Sequence, residues 1–104
     1  MALERYTQQP NERKNYVVDY IQWLATNEVL TSVNYGVVIL NEQPGDVGEP
    51  TLVVDETSLI NTTTAGKFYV SGGKHGRTYQ VTATASTNDS QIIETEIEFK
   101  VEEL

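Results

Sequence analysis

Apolar and polar residues alternate most cleanly in the last third of the chain. In TYQVTATAST, Tyr79, Val81, Ala83 and Ala85 point one way, while Thr78, Gln80, Thr82, Thr84 and Ser86 point the other. In QIIETEIEFKVEE, Ile93, Thr95, Ile97, Phe99 and Val101 alternate with Ile92, Glu94, Glu96, Glu98, Lys100 and Glu102. A period of two with one apolar face marks a half-buried antiparallel strand, and Asn88-Asp89 between the two runs supplies a turn.

Upstream the pattern is less regular. TNEVLTSVNYGVVIL alternates Val29, Thr31, Val33, Tyr35 and Val37 against Leu30, Ser32, Asn34, Gly36 and Val38, which predicts a strand with Gly36 as a bulge or bend. TLVVD near 51–55 and KFYVSG near 67–72 predict two more strands, joined by the polar stretch SLINTTTAG, and SGGKHG reads as a hairpin turn. Residues 15–25 (NYVVDYIQWLA) fit two periods. Val17, Tyr20, Ile21 and Leu24 form a helical stripe, whereas Tyr16, Val18, Tyr20 and Leu24 fit a strand. The density of β-branched and aromatic residues tilts the reading toward a strand. NEQPGDVGEP (41–50), with two prolines and two glycines, is a surface loop.

Residues 1–14 (MALERYTQQPNERK) show neither period and contain Pro10, so they are expected to form an extended arm, with 15–104 as the folded domain. Such a segment cannot bury enough apolar area to offset its ordering entropy unless a partner supplies the surface. Leu3 and Tyr6 are its main apolar groups and the candidate partner-docking residues; a frayed terminus is the other reading. About seven short strands with turn signals roughly every ten residues predict an all-β fold, an immunoglobulin-like antiparallel β-sandwich.

Composition narrows function by exclusion. The chain has 104 residues, a size suited to one domain, and no cysteine, which removes disulfides, thiolate zinc sites and thiol nucleophiles. Fifteen Asp and Glu against seven Lys and Arg leave a formal net charge of −8. Clustered cations facing phosphates are therefore lacking, and neither nucleic acid nor an anionic membrane is an expected partner. The start MALER lacks the apolar run of a signal peptide, and no stretch approaches the roughly 20 apolar residues that span a bilayer. Synthesis in a host cytoplasm is expected.

No catalytic constellation emerges. His75, the only histidine, lies in the glycine-rich segment Gly72-Gly73-Lys74-His75-Gly76, a poor place to hold a triad member rigidly, and one histidine cannot make a zinc site. Glu94, Glu96 and Glu98 recur on one strand face about 6.5–7 Å apart, better suited to discouraging edge aggregation than to binding calcium. Gly72, Gly73 and Gly76 lack the strand–GxGxxG–helix context of a phosphate cradle. The sequons at Asn61 and Asn88 carry no meaning without a secretory route. No enzyme activity, metal or cofactor is expected. Two residues are read as specifying the fold: Trp23, the large apolar body filling the sandwich, and Tyr79, whose position at the start of the penultimate strand suits a tyrosine corner that bonds upstream backbone.

The combination Asp19-Tyr20-Ile21-Gln22-Trp23-Leu24, AGKFYVSGGKHGRTYQVTATAST and a terminal strand ending Val101-Glu102-Glu103 resembles the small immunoglobulin-like proteins of tailed bacteriophages described as fiber-tail adaptor proteins. The resemblance covers most of 15–103. Where many of those proteins carry Asp-Trp-Ser-x-Trp-Leu, this chain has Tyr20 and Ile21 in place of the first Trp and the Ser. It implies a non-catalytic virion component connecting tail and fibers, present in multiple copies in a symmetric assembly with other virion structural proteins as partners. Capsid decoration, head-tail connection and a carbohydrate- or receptor-binding module are the alternatives. The last would use the aromatics not assigned to a core, Tyr6, Tyr35 and Tyr69.

Overall fold

A computed structural model describes residues 4–41, 43–44 and 52–103. Among these residues seven strands form two sheets: β1 (Glu4–Gln8), β2 (Arg13–Asp19), β3 (Leu30–Ile39), β4 (Leu52–Ile60), β5 (Ala65–Gly72), β6 (Thr78–Thr87) and β7 (Ile92–Val101). The four-stranded sheet runs β1-β7-β6-β3 and the three-stranded sheet β2-β5-β4. This is an immunoglobulin-like sandwich in which the first strand has joined the sheet of the last.

The alternation in the last two strands becomes a packed face. Tyr79, Val81, Ala83 and Ala85 of β6 and Ile93, Ile97, Phe99 and Val101 of β7 are buried. Opposite them, Phe68 and Val70 of β5 and Leu52 of β4 complete the main core. A second cluster, Tyr20, Leu30, Ala85 and Ile93, closes one end. The β6–β7 turn places Ser90 at φ 64° and pins Asn88 to Val29, through its backbone N–H and its side-chain oxygen.

Several expectations are corrected. The described part of residues 1–14 is not a free arm. Glu4–Gln8 pairs in parallel with Ile97–Val101 of β7, and Arg13-Lys14 opens β2. Backbone pairing with β7 supplies what the arm's sparse apolar content could not. Residues 15–25 split: the strand ends at Asp19, and Ile21–Trp23 form one 3-10 turn whose first backbone N–H bonds the Asp19 carboxylate. The SGGKHG segment is no hairpin, since β5 and β6 lie in different sheets and the segment carries the chain between them. Gly36 sits in regular register opposite Thr82; the irregularity in β3 falls between Leu30 and Ser32, which lets both Leu30 and Val33 face inward. β4 continues through Thr57-Ser58-Leu59-Ile60, past an irregularity between Asp55 and Ser58.

The β4–β5 turn holds Asn61, Thr62 and Thr63 at φ 55°, 59° and 60°, a left-handed run that β-branched residues avoid. It persists because tertiary contacts demand it: the carbonyls of Thr63 and Thr64 accept the backbone N–H groups of Leu30 and Tyr20.

Candidate interaction surface

The two sheets open on one side between β1 and β2, each the outer strand of its sheet. In the parallel β1–β7 register Glu4, Tyr6 and Gln8 lie beside the inward residues Ile97, Phe99 and Val101. Arg5 turns outward and pairs with Glu98 at 3.2 Å.

Gln8 is 1% exposed and ties the two sheets together. Its amide nitrogen donates to the carbonyl of Val70 at 2.8 Å and to that of Glu12 at 3.1 Å, and its oxygen accepts the Tyr16 hydroxyl at 2.8 Å. One side chain thus joins β1 to β5 and β2 across the interior. Tyr16 in turn packs between Tyr6 (4.7 Å between ring centroids) and Phe99 (4.9 Å, edge-on), and burial raises its phenol pKa.

Beyond Tyr6 the mouth widens into a groove of about 300 Å³, floored by Tyr16, Val18, Phe68 and Ile97 and rimmed by Glu4, Tyr6, Asp19, Gln22 and Trp23. Thr95, buried on β7, lines it as well, beside the Tyr20 hydroxyl.

Trp23 does not fill the sandwich; this expectation is corrected. The 3-10 turn after Asp19 sends Tyr20 inward, fully buried, and leaves Trp23 36% exposed against it, 6.1 Å between ring centroids. Burial raises the Tyr20 phenol pKa, an effect the neighbouring Thr95 hydroxyl opposes. Tyr6 is likewise 36% exposed, and the structure brings it and Trp23 to one groove. Leu3 lies outside the described residues, as does most of the 41–50 loop. Tyr79 is buried, and its hydroxyl accepts the backbone N–H of Lys74 at 2.9 Å, five residues upstream.

The remaining candidates are dispersed. His75 is exposed and accepts the backbone N–H of Glu103 through Nδ1 at 2.9 Å. Glu94 and Glu96 stand opposite Thr84 and Thr82 on the solvent face of β7. Tyr35 packs on Phe68 at 4.7 Å, its buried hydroxyl pushed up in pKa mainly by desolvation. Tyr69 lies on the outer face of the three-stranded sheet under the Arg13 guanidinium, 4.1 Å from the ring centroid. Tyr6, Tyr35 and Tyr69 therefore occupy three separate places.

Sequence reasoning missed Gln8, and it gave Tyr16 and Tyr20 no role beyond the apolar face of their segment. It also missed Glu28, a buried carboxylate that accepts the Ala25 N–H at 2.8 Å and the Thr87 hydroxyl at 2.6 Å. A glutamate three residues after Ala25 is the one local hint, since it bonds back to that residue's N–H.

These features define an immunoglobulin-like β-sandwich with an aromatic, acid-rimmed groove between the edge strands β1 and β2. The chain belongs to the family described as podophage GP4 fiber-tail adaptor protein gp77, whose model matches residues 8–100. It is thereby a structural protein of the phage fiber-tail adaptor kind. No curated protein sequence matches it significantly.

Proposed function

We propose that this chain acts as a non-catalytic connector between tail and fibers of a tailed phage particle, in several symmetry-related copies, through contacts with other virion proteins. The family match over 8–100 carries the reading. The groove between β1 and β2 supports it, because it sets two half-exposed aromatics over an apolar floor at a sheet edge, the kind of surface that protein partners cover. A net charge of −8 favours protein partners over nucleic acid or anionic lipid. The test is mass spectrometry of purified particles together with a reconstruction of the tail. The chain is expected at the tail–fiber junction, and its absence from intact particles would overturn the proposal.

A further inference from the structure

The geometry points to the β1–β2 groove as a receptor for an arginine side chain presented by an extended segment of a partner virion protein, an assignment that rests on the connector reading above. Its rim carries two carboxylates, Glu4 and Asp19, and among the described residues no lysine or arginine lines it. Its walls include three aromatic rings, of Tyr6, Tyr16 and Trp23. Aromatic faces beside carboxylates favour a cation, and a planar guanidinium above all, since it stacks on rings while its N–H groups reach carboxylate oxygens. The apolar floor suits the three-carbon stem of the same side chain.

The molecule already uses this combination once. On the outer face of the three-stranded sheet the Arg13 guanidinium lies 4.1 Å over the Tyr69 ring while one nitrogen reaches Asp55 at 3.2 Å and Glu56 at 3.0 Å. The groove repeats the ring and the carboxylates but supplies no guanidinium from its own described lining. It sits between the edge strands of both sheets, where an extended partner segment can lie alongside the backbone of either.

Trp23 is the only tryptophan, so its fluorescence reports on the groove directly. The full chain is titrated with the blocked pentapeptide Thr-Val-Arg-Val-Thr and with its counterpart carrying Gln in place of Arg. The Arg peptide is expected to give a saturable change with a Kd on the order of 1 mM, and the Gln peptide to bind about tenfold more weakly. The double variant Glu4→Gln, Asp19→Asn should lose that discrimination with an unchanged melting temperature, because the amide replacing the Asp19 carboxylate keeps an oxygen that can accept the Ile21 N–H. Equal binding of the two peptides, no saturable change with the Arg peptide, or discrimination that survives in the double variant would overturn the assignment. So would a concentration-dependent dimer in sedimentation that Trp23→Ala abolishes, which would give the groove to a second copy. The connector reading fails separately, if the wild-type chain is missing from particles; a chain that is present there but does not discriminate the peptides overturns the arginine assignment alone.

Discussion

Truncating Gln8 to alanine tests whether the first strand is part of the sandwich or an accessory to it. The substitution removes three hydrogen bonds that link β1 to β5 and β2, to Val70, Glu12 and Tyr16. A bond whose remaining partner regains water costs about 1 kcal/mol or less when lost, and one that leaves a buried partner unpaired costs about 1–3 kcal/mol. The Glu12 carbonyl is only part-buried and regains water, whereas the Val70 carbonyl is buried. The expected loss is about 3 kcal/mol, a large share of the roughly 5–15 kcal/mol that stabilises a domain of this kind. That corresponds to a fall in Tm of about 15 °C for a chain of this size. The assay is urea unfolding of Gln8→Ala, Tyr16→Phe and the double variant. Tyr16→Phe alone should cost about 1 kcal/mol, and in the Gln8→Ala background its cost should largely vanish, because the hydroxyl's partner is already gone. A loss below about 1 kcal/mol for Gln8→Ala, or strict additivity of the two substitutions, would refute the reasoning and leave β1 a loosely held strand.

Two further outcomes follow from the geometry. Gly73→Ala should destabilise by about 2–4 kcal/mol in thermal or chemical unfolding, because Gly73 sits at φ 93° and a Cβ there would lie 2.8 Å from Val101 Cγ2 and 3.3 Å from the Tyr79 ring, whereas Gly36→Ala, with open space around it, should be neutral or slightly stabilising. Acid should weaken the fold partly through Glu28 and Glu12, whose carboxyls are held below their ordinary value of 4.5, Glu28 first by the Thr87 hydroxyl and Glu12 first by the Gln9 N–H. With the folded pKa depressed, their stabilisation is present above about pH 4.5 and is lost as pH falls through the lowered folded values, so Glu28→Gln should flatten the acid limb of a Tm-against-pH curve.

What the amino-acid sequence determined by itself is the pair of long strands, β6 and β7, and the corner that begins them. There the inward positions are apolar at all but Thr87 and Thr95, so one face must be buried whatever the neighbours are, and the register follows from the pattern. Tyr79 was legible for the same reason, since its inward position and its place after the glycine-rich connection are both local. The family resemblance rests largely on this region and on Asp19–Leu24. Tertiary structure alone decided the first strand and the groove. The inward residues of β1 are Glu4, Tyr6 and Gln8, two of them polar, so no alternation marks the strand; its partner β7 lies some ninety residues away in sequence and satisfies its backbone by pairing. Trp23 lost its expected place because one 3-10 turn, set by the Asp19 carboxylate on the Ile21 N–H, rotates the chain after β2 and sends the smaller ring of Tyr20 into the core and the larger one to the rim. The groove exists only because β1 and β2 end as the edges of different sheets, and strand order is a property of packing that no local periodicity contains.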